Sequence, residues 1–338
     1  MPFGTLYGLA AEARNRLYDL GILPSYPLGA RTISIGNLTA GGTGKTPLVA
    51  LTAKLLAENG EKACVLTRGY GRANEAQFVV VSDGEKVLAD AAAGGDEPVE
   101  LAWSLLGQAA VVADANRVAA AERARKRFGT TAFILDDGFQ HRRARRDLDI
   151  VCIDAMNPFG GGMIPAGTAR ERAAGLGRAD IVILTRTNLV DSTDTLCENI
   201  FQLAPKAVML RASTKIGGLV RLEQFSCGQR VRAAEVFQRP ERPFAFCGLG
   251  NPENFRKQLL ADHFELVGFI PFSDHHRYCQ SDIEAIEKKA VKCYAESLIT
   301  TGKDAVKLTG LNFNLPVWVA EASVELDDEK TFQQMVLG

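Results

Sequence analysis

A glycine-rich loop between an apolar strand and a helix constrains the fold of this 338-residue chain more than any other feature. The β-branched run Thr32–Gly36 predicts a buried strand, and Pro47–Asn59 has helical periodicity. Glycines let the intervening backbone curl around phosphate oxygens, and the helix N-terminus adds the positive end of its dipole. We therefore expect a phosphate-binding P-loop made of Thr39, Ala40, Gly41, Gly42, Thr43, Gly44, Lys45 and Thr46.

The end of this loop predicts how a nucleotide would be held. Lys45 is expected to reach the β- and γ-phosphates, and the Thr46 hydroxyl to ligate Mg²⁺. Thr39 stands where the GxxxxGK[ST] pattern has its first glycine, and the Gly41-Gly42 pair supplies extra turn freedom. A chance Gly-Lys-Thr in an ordinary turn is the weaker interpretation, because the flanking strand and helix fit a P-loop.

Two adjacent carboxylates follow a second apolar run. Thr131–Leu135 predicts a buried strand, and Asp136 and Asp137 stand at its carboxyl end. Ligands of open α/β sheets collect at such strand ends, so we expect Asp136, with Asp137 beside it, to serve the metal. Two turn-forming aspartates before a glycine are common elsewhere, but the upstream P-loop favours the metal site.

Short β-branched runs alternate with helical segments from Thr32 onward, which predicts an α/β fold with a parallel sheet. A second strand–turn–helix series begins near Arg242. We predict a P-loop NTPase-like domain over residues 1–212, a short linker over 213–241 and a smaller α/β domain over 242–338. The Gly217-Gly218 pair places the linker.

Composition excludes several classes of protein. The 39 Lys+Arg and 40 Asp+Glu give a formal charge of −1, which argues against a nucleic-acid-coating protein. The seven scattered cysteines include no CxxC pair, so reduced thiols in the cytosol are expected. No apolar run approaches a spanning helix, and the N-terminus does not resemble a secretory signal.

Two surface features leave a membrane contact open. Residues 117–146 carry nine Lys/Arg against three Asp/Glu, which is either a solvated basic face or a site for an anionic substrate or membrane. The first helix has an apolar face with helical spacing. That face either docks on its own domain or lies on a membrane. Its residues are Leu6, Leu9, Ala10, Ala13, Leu17 and Leu20.

Three further clusters are ambiguous by themselves. Asp96 and Glu97 open a helix, where they are ordinary helix-start residues, although Asp96 could also act as a general base. Arg170 lies in a Gly- and Pro-containing loop and could clamp a phosphoryl group. The run Asp274-His275-His276 lies between aromatic residues, and such a run is less easily dismissed as structural than a lone histidine.

Together these motifs resemble the tetraacyldisaccharide 4'-kinase family of lipid A synthesis in Gram-negative bacteria. The resemblance also accounts for Thr39, because the family's P-loop is similar in lacking the first glycine. The matching segments follow one another along most of the chain: 35–47, 66–71, 95–98, 136–142, 148–151, 165–167 with Arg170-Glu171, and 274–276.

The resemblance implies transfer of the γ-phosphate of ATP to the 4'-hydroxyl of a tetraacylated glucosamine disaccharide 1-phosphate. It places the enzyme peripherally on the cytoplasmic side of the inner membrane, bound through the first helix and the basic cluster. It implies no nucleic acid and no obligate protein partner. Asp96 is then the catalytic base with His275 as its partner, and Lys45 and Arg170 neutralise charge. The implied Mg²⁺ shell is Thr46, Glu97, Asp136, Asp137 and Gln140.

Two departures and two rival functions remain. The family often has Thr-Glu-Lys-Asp where this chain has Thr301–Asp304, and Pro-Leu-Arg-Glu where it has Thr168–Glu171. A P-loop GTPase or ATPase switch without a lipid substrate is one alternative, because Leu184–Asn188 loosely resembles a guanine-reading loop. A phosphate- or RNA-binding protein is the other, and the neutral charge and lack of interleaved aromatic residues disfavour it.

Overall fold

A single twelve-stranded sheet organises the chain. The structure is a computed structural model that describes residues 2–226 and 239–338. From edge to edge, the strand order is β10-β9-β11-β12-β8-β7-β6-β1-β5-β2-β4-β3. The strands are β1 Arg31–Asn37, β2 Ala63–Thr67, β3 Val79–Ser82, β4 Ala109–Ala113, β5 Ala132–Asp136, β6 Leu148–Asp154, β7 Ile181–Thr185, β8 Val208–Arg221, β9 Pro243–Cys247, β10 Gly268–Pro271, β11 Ser297–Thr301 and β12 Val317–Leu326.

Most strand pairs are parallel, and helices connect them. Strand β1 lies between β5 and β6 and pairs with both in parallel, which places the loop after β1 at the carboxyl edge of the sheet. The helices are α1 Pro2–Asp19, α2 Lys45–Glu58, α3 Ala91–Gly94, α4 Asp96–Ser104, α5 Arg117–Phe128, α6 Asp194–Leu203, α7 Leu222–Ser226, α8 Pro252–Ala261, α9 Gln280–Lys292, α10 Gly302–Ala305 and α11 Glu329–Leu337, with 3₁₀ turns at Ala173–Arg178 and Thr187–Leu189.

The central strands lie in the core of the sheet. Both faces of β1 and β5 are covered, so Ile33, Ile35, Phe133 and Ile134 are fully buried. Helix α2 packs Leu48 on the same core. The α/β class with a largely parallel sheet is confirmed. Strands β1 and β5 and helix α2 lie within two residues of their predicted bounds. Strand β11 is missing from the sequence-based prediction.

The predicted linker over 213–241 is wrong in its first part. Residues 213–221 belong to β8, which pairs with β7 through its beginning and runs antiparallel to β12 through its end. Gly217 lies at an irregularity in this pairing, and a Cβ there would collide with the side chain of Ser323. The glycine therefore allows two strands to approach closely, where the sequence pattern indicated a loop. Residues 227–238 of the predicted linker lie outside the described residues.

Strand β8 joins the two predicted halves through one continuous sheet. The division into a larger P-loop part and a smaller C-terminal part stays a prediction. Strands β9, β10 and β11 nevertheless form a parallel group of their own, with a separate hydrophobic cluster around Phe246 and Ile283.

Helix α1 docks through its small residues and exposes its apolar ones. Gly4 and Gly8 lie against Met163, where a Cβ on either would come within 3.2 and 3.5 Å of that residue. The leucines of the opposite face are exposed: Leu6 is 66% accessible, and Leu20, which directly follows the helix, is 69% accessible. The apolar face therefore does not dock on its own domain. Among the described residues, no helix is long and apolar enough to cross a membrane.

Candidate active site

The loop after β1 has the backbone geometry of a phosphate cradle. Gly41 and Gly44 have φ of 108° and 78°, a region that favours glycine. Gly44 directly precedes α2, so the unpaired amides of the first helical turn face the loop. The Asn37 side-chain amide donates to Thr43 Oγ1 at 3.0 Å, and the Thr185 hydroxyl donates to the Thr43 carbonyl at 2.8 Å. These bonds hold the loop in shape.

Thr39 has a structural role at the position of the missing glycine. It forms an isolated antiparallel bridge with Ala169, and the Arg170 amide donates to the Leu38 carbonyl at 2.8 Å. A side chain on Gly160 would come within 2.9 Å of Thr39 Cγ2, so that glycine makes room for the threonine. The bridge brings the loop containing Arg170 beside the phosphate cradle.

The two carboxylates lie at the same edge of the sheet. Asp136 ends β5, and Asp137 follows with φ of 54°. The Asp137 carboxylate contacts Lys45 Nζ at 3.4 Å and Arg170 Nη1 at 2.5 Å. Burial alone would raise the pKa of Asp137, but Lys45 and Arg170 outweigh it and lower that pKa to about 2. The structure thus brings Lys45, Asp137 and Arg170 together as one charge cluster.

Asp136 has the opposite electrostatic character. Burial, together with the negative charge of Glu97, raises the pKa of Asp136 to about 6. The charge of Lys45 offsets only part of this rise, and a metal ion would stabilise the buried carboxylate further. Glu97 itself is half exposed and lies 3.3 Å from Lys303 Nζ, so its predicted place in the metal shell stays a prediction.

The oxygen donors at this edge fit Mg²⁺. Among the described residues, Gln140 Oε1 is buried without a hydrogen-bond partner, and Asp137 Oδ1 is buried with Lys45 Nζ 3.4 Å away. The Gln140 amide nitrogen donates to the Asn37 carbonyl and to Glu171 Oε1, both at 2.8 Å, which leaves its oxygen as the free group. No cluster of three His, Cys, Asp or Glu that could cage a metal occurs in residues 2–226 and 239–338. Mg²⁺ does not need such a cage, because it keeps waters and phosphate oxygens as ligands.

Asp96 and His275 come together from distant parts of the chain. Asp96 begins α4 after Gly95, whose φ is 95°, and its Oδ2 lies 3.0 Å from His275 Nδ1. Lys307 Nζ is 3.5 Å from the same oxygen. Burial would raise the pKa of Asp96, but His275, Lys307 and Lys303 together lower it. Asp96 is therefore held as a carboxylate, the form that can accept a proton.

The predicted arginine cluster serves partly to dock α1. Arg142 donates to the Asn15 carbonyl and to Asp19 Oδ1, both at 2.7 Å. Arg146 forms an ion pair with Asp149 at 2.6 Å. These two guanidinium groups are engaged within the chain, which limits the charge that the cluster can offer to a membrane.

Sequence reasoning missed several charged residues of the site. Arg117 is buried; burial, partly offset by the charges of Asp136 and Asp137, lowers its pKa to about 10. Lys303, Asp304 and Lys307 surround Asp96 from the C-terminal half. Lys303 and Asp304 lie in the Thr301–Asp304 segment that departs from the family's motif, and Lys307 lies outside every matching segment. The two lysines four residues apart after a strand, Lys303 and Lys307, were a weak signal for this charged group.

The departure at Gly302 has a packing explanation. A Cβ on Gly302 would lie 2.6 Å from Glu100 Oε1, so the Glu100 carboxyl occupies the space that a side chain would need. Burial, reinforced by Glu97, raises the pKa of Glu100 to about 8. A side chain at 302 therefore requires Glu100 to move.

In the loop that resembles a guanine-reading loop, the polar side chains bond to other residues of the chain. The Asn188 side-chain amide donates to the Thr214 carbonyl at 2.9 Å, and its oxygen accepts from the Thr214 amide at 3.0 Å. Arg186 is paired with Asp154. Asn188 is thus engaged in holding the loop against β8, and Arg186 is engaged with the end of β6.

Comparisons with known proteins agree on one family. The family model described as tetraacyldisaccharide-1-P 4'-kinase matches residues 1–338. The tetraacyldisaccharide 4'-kinase of Syntrophus aciditrophicus is 39% identical over 99% of this chain and 91% of the relative. That of Geobacter metallireducens is 38% identical over 98% and 94%.

A solved structure has the same architecture. The crystal structure of LpxK from Aquifex aeolicus in complex with ATP superposes with a TM-score of 0.79 at 29% identity. The match covers 99% of this chain and 96% of that one, so both halves of the fold are shared.

Proposed function

Because the chain belongs to the tetraacyldisaccharide-1-P 4'-kinase family and is a kinase of lipid A biosynthesis, we propose a specific reaction for it. It transfers the γ-phosphate of ATP to the 4'-hydroxyl of a tetraacylated glucosamine disaccharide 1-phosphate. The observation that carries the proposal is the pairing of Asp96 with His275, in the same chain as the P-loop over 39–46. A nucleotide switch has no need of this base.

ATP is proposed to bind along the loop 39–46, as the ATP complex of the Aquifex aeolicus relative supports. Lys45 leaves Asp137 and contacts the β- and γ-phosphates, and Arg170 stabilises the charge of the transferring phosphoryl group. Thr46, Asp136, Asp137 and Gln140 would hold Mg²⁺, which supplies further neutralisation of phosphate charge when bound.

Asp96 accepts the proton of the acceptor hydroxyl as that oxygen attacks phosphorus. His275 Nδ1 orients the carboxylate through the 3.0 Å contact. Because Asp96 and His275 come from opposite halves of the fold, acceptor and nucleotide meet between them. Most of the rate acceleration then comes from positioning and charge neutralisation.

The acceptor is proposed to be reached at the cytoplasmic face of the inner membrane. A lipid with four acyl chains does not leave a bilayer cheaply, since each buried CH₂ contributes about 0.8 kcal/mol. The exposed leucines of α1 supply an apolar face for this surface. The same helix is tied to the site because Asn15 donates to Glu171 Oε2 at 2.9 Å, next to Arg170.

The test is transfer of label from [γ-³²P]ATP to a tetraacylated disaccharide 1-phosphate in detergent micelles. We expect label in the lipid with the wild-type chain and a loss of roughly 100-fold or more in kcat with Asp96→Asn, because that variant cannot take the proton. The control is Asp191→Asn, at an exposed position that precedes α6. If ATP is consumed while the lipid stays unlabelled, the proposal is contradicted.

The switch alternative makes a different prediction. A GTPase would prefer GTP over ATP in competition binding. We expect no such preference here, because the Asn188 side chain is already hydrogen-bonded to Thr214. We expect excess ATP, but not GTP, to displace a labelled ATP analogue.

A further inference from the structure

A buried lysine of the C-terminal half contacts the carboxylate of Asp96, which belongs to the P-loop half of the chain. Lys307 follows α10, and its side chain is only 6% exposed. Its Nζ lies 3.5 Å from Asp96 Oδ2 and 3.1 Å from Asp304 Oδ1. The ammonium therefore stands between two carboxylates, one from each half of the fold.

Asp304 fixes the position of that ammonium. Its side chain has no solvent exposure, and it accepts from the Thr301 hydroxyl at 2.7 Å and the Tyr278 hydroxyl at 3.1 Å. The Gly248 amide, just after β9, donates to both of its oxygens at 3.0 and 3.1 Å. These donors belong to the C-terminal half, so Lys307 is anchored there before it reaches Asp96.

Lys307 contacts Asp96 through an ion pair and not through a hydrogen bond. Lys307 Nζ is buried without a well-aligned hydrogen bond to any described residue, although both carboxylates lie within ion-pair distance. Burying an ammonium is costly, and a buried ion pair is seldom retained for stability alone. Its placement beside the proposed base points to a role in the site.

The geometry at Asp96 shows what this charge can do. His275 and Lys307 both contact Oδ2, and no group in residues 2–226 or 239–338 hydrogen-bonds to Oδ1. Two contacts on one oxygen fix the rotation of the carboxylate. The second oxygen is then left for an incoming hydroxyl.

We infer that Lys307, anchored by Asp304, is a positioning residue that fixes the Asp96 carboxylate with Oδ1 free for the acceptor hydroxyl. The inference rests on the proposed function. In the transfer step, the hydroxyl oxygen bonds to the γ-phosphorus, the bond to ADP breaks, and Asp96 takes the hydroxyl proton. Lys307 exchanges no proton in this step.

The first experiment measures kcat and the KM for ATP of Lys307→Met. Since Lys307 acts on Asp96 and not on the P-loop, kcat falls roughly 10- to 100-fold while the KM changes less than about twofold. Lys307→Arg restores most of the rate because it keeps the charge, and Lys288→Met, at an exposed position of α9, matches the wild type. Should Lys307→Met not fold in a thermal melt, Lys307→Gln takes its place.

A double-mutant cycle separates positioning from a structural role. In an Asp96→Ala background, Lys307→Met lowers the residual rate no further, because the group it positions is absent. An equal loss in both backgrounds, or a kcat for Lys307→Met within about twofold of the wild type, overturns the inference.

A crystal structure of Lys307→Met gives a readout without the lipid. The Asp96 carboxylate is expected to rotate or to take two conformers. An Asp96 that keeps the same conformer and the same contact with His275 overturns the inference. If the wild-type chain does not label the lipid at all, the proposed function fails, and this structure alone decides the positioning role.

Discussion

The exposed apolar face of α1 makes a quantitative prediction for membrane binding. Leu6 and Leu20 are 66% and 69% accessible, and a fully buried leucine gains about 1.5 to 3 kcal/mol. Transfer of the exposed two thirds into a bilayer therefore contributes about 1 to 2 kcal/mol for each leucine. Replacing both by serine should weaken partitioning by about 2 to 4 kcal/mol, a factor of roughly 30 to 700.

The assay is co-sedimentation with vesicles of phosphatidylethanolamine and phosphatidylglycerol over a range of lipid concentrations. The matched control is Phe201→Ser on α6, which removes an apolar side chain of similar exposure, 65%, from another helix. We expect the control to bind as the wild type does. If the double variant binds like the wild type, or if the control loses as much binding, the α1 face is not the membrane surface. Activity on an acceptor in detergent should be unchanged in all three proteins.

Three further predictions test the site and its support. Arg170→Ala removes the guanidinium from Asp137 and should lower kcat roughly 100-fold with partial recovery in Arg170→Lys; equal rates for all three proteins would exclude the clamp. The native pKa of Glu100, about 8, lies above its unfolded value of 4.5, so its contribution to stability is lost as the pH rises through this window. Between pH 5 and 8, urea titrations should show the wild type losing up to about 1.4 kcal/mol of unfolding free energy per pH unit relative to Glu100→Gln. The exposed control Glu284→Gln should show no such change relative to the wild type. Gly36→Ala places a Cβ 2.5 Å from Phe139 Cβ and 2.7 Å from its amide, which should cost about 1 to 3 kcal/mol; an unchanged urea midpoint would refute that steric argument.

The local elements could be predicted because their signals lie within a few residues. The apolar run of β1, the glycines of the loop and the periodicity of α2 are contiguous, and together they predict the phosphate cradle. The run ending in Asp136-Asp137 is equally local. A parallel sheet then brings these strand ends to one edge whatever the details of the packing.

The sequence pattern misled where a residue has two possible uses. Gly217-Gly218 was typical of a loop, yet β12 packs so closely on β8 that only glycine fits at 217. The apolar face of α1 was evident from its spacing. The side that docks was decided by the close approach of Gly4 and Gly8 to Met163.

By itself the sequence determined the fold class and predicted the phosphate site and the carboxylates beside it, since each rests on a short pattern of backbone and polarity. The resemblance implied that His275 partners Asp96, but only the tertiary structure showed their contact across 179 residues of chain and showed that Lys307 joins them. It also decided that β8 carries the sheet through the predicted linker. The physical reason is that such contacts depend on strand order and on the packing of α4 against α10, which no local period of the sequence encodes.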